Sequence, residues 1–181
     1  MTTTYIAFLR GINVGGHQVK MDRLRELFGG LGFTKVRTYI QTGNVFFESD
    51  ESDRAELAAR IEQQLLRELG YAVPAFVRTV AELAACVEAA PFKDMEATED
   101  TRHLILFLSA PLPAGLKLPL ASARDEFTIL AVTPGEAFVL LRRLQGKTGN
   151  VVQFIEKGFG VTASSRFYHT TLKILAAASA N

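Results

Sequence analysis

Near the N-terminus the spacing of apolar residues switches repeatedly between two periods, and the order of those switches leaves few folds open. Tyr5-Ile6-Ala7-Phe8-Leu9 is a short β-prone run without helical spacing, ended by Arg10-Gly11. Met21, Leu24, Leu27, Phe28 and Leu31 then recur at helical steps, predicting an amphipathic helix that stops among Gly29, Gly30 and Gly32. Val36, Thr38 and Ile40 alternate with Arg37, Tyr39 and Gln41, and Thr42-Gly43-Asn44 supplies turn chemistry before Val45-Phe46-Phe47, so a hairpin follows. Ser52 or Asp53 can cap a second helix, in which Leu57, Ile61, Leu65 and Leu69 repeat at every fourth position until Gly70. Pro74 to Arg78 reads as a short strand whose initial proline suits an edge. The order βαββαβ within about 80 residues is that of the ferredoxin-like split βαβ, an antiparallel sheet with both helices on one face.

A further helix, about Thr79 to Ala90, leads to Pro91-Phe92 and an acidic stretch, Asp94 to Asp100, which is the best candidate linker. Beyond it His103 to Leu108 predicts a strand, and the proline-rich Ala110 to Pro119 cannot be regular helix. Phe127 to Val132 and Glu136 to Leu141 pair as a second hairpin across Thr133-Pro134-Gly135. A helix is expected from Asn150 to Lys157. A polar run from Thr162 to Thr171 then precedes a terminal helix carrying Leu172, Ile174 and Leu175. The expected fold class is therefore α+β, with two interlocked subdomains built on antiparallel sheets. The N-terminal one, 1–90, is expected to be ferredoxin-like, and 91–181 to be a second α+β subdomain.

With 181 residues, 48% of them hydrophobic, the chain can bury a substantial core, which excludes a disordered tail-like protein. Its one cysteine, Cys86, excludes an internal disulfide framework and a cysteine-only zinc site; placed among alanines, it reads as a buried thiol. Met1 to Leu9 lacks the basic start and apolar length of a secretory signal. No run reaches the roughly 18 apolar residues of a membrane helix; the nearest, Leu104 to Leu116, is broken by Pro111 and Pro113. A soluble cytoplasmic protein without a membrane partner is expected.

The net charge of +1 hides a division. Residues 1–45 hold 6 basic and 2 acidic side chains, 46–102 hold 6 and 13, and 103–181 hold 8 and 4. If the two basic ends meet, they make a positive face on a neutral molecule; otherwise the acidic middle simply marks two solvated helices.

The loop Arg10-Gly11-Ile12-Asn13-Val14-Gly15-Gly16-His17 follows a strand and precedes a helix. In that context backbone N–H groups and a helix N-terminus can hold an anion, and Arg10 adds a planar charged donor. Its glycine spacing is neither a dinucleotide fingerprint nor a Walker A loop, and the competing reading is a tight loop needing positive φ. Gly146-Lys147-Thr148 resembles the end of a Walker A motif, but Leu141 stands where its first glycine belongs. Tyr5, Phe8, Phe46 and Phe47 lack the pattern of an RNA-recognition sheet and read as core. His17, His103 and His169 have neither metal-ligand spacing nor Cys or Glu companions, so no metal and no cofactor are expected. Ser164, Ser165 and His169 lie near one another, but a hydrolytic triad also requires an acid and an oxyanion hole, which sequence does not display.

Three stretches together resemble the DUF1697 family: Tyr5 to Gly16, Arg37 to Val45, and Lys157 with Thr162 to Thr171. The resemblance spans nearly the whole chain and implies a bacterial cytoplasmic protein of two α+β subdomains, at least one ferredoxin-like, with no assigned activity. The third stretch departs from the family's Thr-Thr-Arg-Asn-Trp-Asn-Thr. Here it is Ser164-Ser165-Arg166-Phe167-Tyr168-His169-Thr170, so Arg166 and Thr170 keep their places while Phe167 and His169 replace two amides.

The candidate ligand-binding set is Arg10, Asn13, Gly15, Gly16, Gln41, Asn44, Arg166 and Thr170, polar or glycine positions in or beside loops that border apolar strands. The competing role for its arginines and amides is to satisfy loop backbone between subdomains. The expected function is binding of a phosphate-bearing partner, nucleotide or nucleic acid, in a basic cleft between subdomains. The alternatives are an enzyme on a small anionic substrate, with His169 or His17 as acid or base, and an interaction protein without a small ligand. No catalytic residue and no oligomeric state follow from the sequence.

Overall fold

The computed structural model describes residues 1–40 and 43–180. It is α+β, with two antiparallel sheets, and the chain divides into two compact units: Met1–Ala84 with Ile174–Asn181, and Ala85–Lys173.

The first unit contains β1 (Thr3–Leu9), α1 (Met21–Gly29), β2 (Thr34–Thr38), β3 (Asn44–Ser49), α2 (Arg54–Leu69) and β4 (Ala75–Thr79). The sheet order β2-β3-β1-β4, antiparallel throughout, is the order that the ferredoxin-like expectation requires. Alternation along the strands assigns the sheet's two faces. Tyr5, Ala7, Leu9, Val45, Phe47 and Val77 join Leu24, Leu27 and Phe28 of α1 and Leu57, Ile61 and Leu65 of α2 in one core. Phe47 is its aromatic centre, stacked on Phe33 at 4.4 Å and edge-on to Phe28 at 5.7 Å. Ile6, Phe8, Phe46 and Phe76, on the other face, are also buried.

The boundaries of α2 follow from its ends. The Asp53 carboxylate accepts hydrogen bonds from the N–H groups of Ala55 and Glu56, and Gly70 turns left-handed to end it. Tyr5, Phe8, Phe46 and Phe47 are buried, so none is a surface for stacking bases.

α3 (Val80–Ala89) carries the chain from the first unit to the second. There follow β5 (Thr101–Leu108), β6 (Leu120–Ala121), β7 (Phe127–Val132), β8 (Glu136–Leu144), β9 (Lys147–Thr148), α4 (Val151–Phe159) and β10 (Ala163–Phe167). α5 (Tyr168–Ser179) then returns the chain to the first unit. The second sheet runs β10-β5-β8-β7-β6, with β9 paired to β8. Leu104, Leu106, Ile129, Val139 and Ala163 pack on Val151 and Ile155 of α4, whose Asn150 side chain accepts from the Gln153 N–H. Cys86 is buried.

The expectation fails in the polar run after residue 162. Instead of a connecting segment, Ala163–Phe167 pairs with β5 along its length, and helix begins at Tyr168 rather than near Leu172. β10 is an edge strand whose inner positions are small, Ala163 and Ser164, so its order comes from backbone pairing rather than from visible apolar alternation. Thr171 is tolerated inside α5 because its hydroxyl donates to the Phe167 carbonyl at 2.9 Å.

Candidate functional site

β1 ends where three loops of the first unit meet. The Leu9 N–H donates to the Gly43 carbonyl at 2.8 Å and the Arg10 N–H to the Pro74 carbonyl at 3.0 Å, which joins the segments before β3 and β4 to the loop after β1. The approach requires glycine at position 43, which has φ +83°. A Cβ there would lie 3.1 Å from Leu9 Cβ and from Ile12 Cγ2.

The glycine loop is braced from below and open above. Ile12 is buried, and its carbonyl accepts from the Tyr71 hydroxyl at 2.7 Å. Burial raises the pKa of that phenol. The Asn13 side chain accepts from the Val19 N–H at 2.7 Å, closing the loop on itself. The His17 ring lies on Tyr71 with centroids 3.7 Å apart and planes 15° from parallel. Above this brace Gly15 and Gly16 are exposed at φ +68° and +85°, with nothing within 4 Å of a built Cβ. Lys20 then opens α1 at its N-cap position, where no side chain caps the helix among the described residues.

The structure thus brings Arg10, Asn13, Gly15, Gly16 and Asn44 to one end of the first sheet. Their roles differ. Arg10 is half-buried, Gly15 and Gly16 present exposed backbone, and the Asn13 carbonyl oxygen braces the loop. Asn44 is fully buried; its amide donates to the Tyr39 carbonyl at 3.1 Å, while the Tyr39 N–H donates to the Asn44 carbonyl at 3.0 Å. Gln41 lies outside the described residues. Arg166 and Thr170 belong to the second unit. Arg166 extends from β10 and donates to the Ser164 hydroxyl at 2.9 Å and the Ser165 carbonyl at 2.8 Å; burial lowers its pKa to about 10, which still leaves it cationic at neutral pH. Thr170 is half-buried near the start of α5.

Tyr71 and Lys20 are the residues of this site that the sequence reading does not select. Tyr71 follows the helix-ending Gly70, far along the chain from Ile12, and no local pattern links the two. Lys20 was legible in principle, as the last residue before the helical period begins.

A concavity of about 430 Å³ opens at the opposite end of the same sheet, beside Thr2, Phe33, Glu48, Asp50, Glu51 and Arg60. Its carboxylates are engaged: Asp50 accepts from the Thr2 hydroxyl, Glu48 pairs with Lys35 and Glu51 accepts from the Asp53 N–H. Among the described residues no group of His, Cys, Asp and Glu is arranged to hold a metal ion, and no helix is long and apolar enough to cross a membrane.

These features define an α+β protein of two antiparallel sheets, with a braced glycine loop at one end of the first. A family model described as "Protein of unknown function (DUF1697)" matches residues 1–138, and the chain belongs to that family. Among solved structures it is similar to the conserved bacterial protein SP0830 from Streptococcus pneumoniae, with 21% sequence identity, a TM-score of 0.66, and 99% of this chain and 100% of the other covered. That likeness concerns the fold. No curated protein matches the chain.

Proposed function

We propose that this protein binds a phosphate-bearing ligand, a nucleotide or nucleic acid, at the glycine-loop end of its first unit. One observation carries the reading: from Arg10 to Lys20 the loop contains Arg10 and Lys20 and no carboxylate, and it leads from exposed glycine backbone to a helix start that no described side chain caps, where the first carboxylate, Asp22, is paired with Arg25. An anion there gains from N–H groups, from the helix dipole and from the cations together. The braces from Tyr71 and Asn13 support it further, because a loop already held in shape loses little conformational entropy when a ligand arrives. In this reading the protein works in the bacterial cytoplasm, where nucleotides are available.

Thermal-shift measurements with nucleoside mono-, di- and triphosphates, together with nucleic-acid affinity at two salt concentrations, test the proposal. A ligand at a hundred times its Kd adds about 2.7 kcal/mol of stability, and phosphate contacts weaken steeply with salt. The gain should diminish in Arg10→Ala and Lys20→Ala. Absence of both the shift and the salt-dependent binding would remove the proposal.

A further inference from the structure

We infer that the ligand's aromatic base stacks on His17, making the site one for a nucleotide rather than for phosphate groups alone; this rests on the phosphate-binding reading above. The imidazole lies nearly parallel to Tyr71 at 3.7 Å, and Tyr71 is itself held by its hydroxyl bond to the Ile12 carbonyl. One face of the histidine ring is therefore occupied by a fixed aromatic partner. The residue is nonetheless exposed, and among the described residues Tyr71 is the only ring stacked on it. A planar base can extend that stack by one layer.

The surroundings suit such a ligand. Gly15 and Gly16 directly precede His17 and Lys20 follows three positions later, so backbone donors and a cation flank the platform along the chain. Val14, in the same loop, is 68% exposed, an apolar side chain in water that a sugar-base unit would cover and a bare phosphate would not. Base stacking on an aromatic side chain tolerates any base, because each has a π face. The platform therefore selects for the presence of a base and not for its identity. The same chemistry is available in a free nucleotide and in a single strand.

The test uses ribose 5-phosphate, AMP and a short oligoadenylate, titrated against wild type, His17→Ala and His17→Phe. AMP should bind about tenfold more tightly than ribose 5-phosphate, as one stacked base supplies. His17→Ala should bring the two ligands level while leaving ribose 5-phosphate binding in place, which also shows that the loop is intact. His17→Phe should restore the preference for AMP, since a phenyl ring stacks without a proton to give. The oligoadenylate arm identifies the source: binding stronger than AMP with a steep salt dependence indicates a single strand, and binding no stronger indicates a free nucleotide. Equal affinity of wild type for AMP and ribose 5-phosphate, or an undiminished preference in His17→Ala, would overturn the inference and spare the phosphate reading. Failure of all three ligands to bind would remove both.

Discussion

His103 is the sharpest test of the second unit's packing. It sits on β5 opposite Leu140, is 8% exposed, and stacks flat on Phe92 with centroids 4.6 Å apart and planes 3° from parallel. Its Nε2 has no hydrogen-bond partner among the described residues. Burial lowers its pKa from the ordinary 6.5, because a charged imidazolium there would lose its water. The sign of the pH dependence follows directly. Below about pH 6.5 the unfolded chain takes a proton at this position that the folded chain resists, so folding stability falls as pH falls. One proton limits the slope to about 1.4 kcal/mol per pH unit, and integration from pH 8 to pH 5 limits the total loss to about 2 kcal/mol. The perturbation is His103→Phe, which retains a flat ring on Phe92 and removes the titrating group. Urea denaturation of both proteins at several values between pH 5 and 8 gives the readout. The offset at pH 8 reflects packing alone, whereas the advantage of the variant should grow steadily on acidification. His17 and His169, both exposed, and the carboxylates cancel in the difference. A variant and a wild type whose stabilities run parallel across that range would show that folded His103 accepts its proton freely, and the buried, unpartnered placement would be refuted.

Three further substitutions test the first unit. Gly43→Ala should lose about 1–2 kcal/mol from the left-handed backbone alone, with more from the 3.1 Å approaches to Leu9 and Ile12; urea midpoints check it, and a neutral result would mean that the three-loop junction is not tightly closed. Asn44→Ala should cost about 1–3 kcal/mol by leaving the buried amide's partners unsatisfied, and hydrogen exchange should show the Tyr39 N–H opening faster in the variant. Asp53→Ala should cost about 1 kcal/mol through loss of the α2 cap, read by thermal unfolding, and Asp53→Asn should recover most of it.

The first unit was legible because its interior is written in periods that sequence displays directly. The steps of Leu57, Ile61 and Leu65 and the alternation around Val36 can each belong to one kind of element, and Asp53 and Gly70 mark ends that obey local chemistry. β10 was illegible for the opposite reason. At the sheet's edge it needs only ladder bonds on one side, so Ser164, Ser165 and Arg166 satisfy it without any apolar stripe, and α5 starts on Tyr168-His169-Thr170 without a cap signal. Where pairing rather than burial specifies a strand, composition is a poor guide.

The candidate site divides along a similar line. A glycine loop between strand and helix advertises itself through residues that are neighbours in the chain, so the loop of Gly15 and Gly16 is legible without the fold. Asn44 reads in the sequence as a polar group beside apolar strands, and in the fold its amide donates to the Tyr39 carbonyl, a contact that only three-dimensional placement reveals. Tyr71 carries the converse lesson. It contributes no charge and no motif, yet its hydroxyl bond to Ile12 and its ring under His17 determine the shape in which the loop meets solvent. Residues that offer a ligand something can be read from side-chain chemistry. Those that hold the offering groups still act through contacts distant in the chain, and for a site made largely of backbone they decide whether the loop is a binding surface or merely a turn.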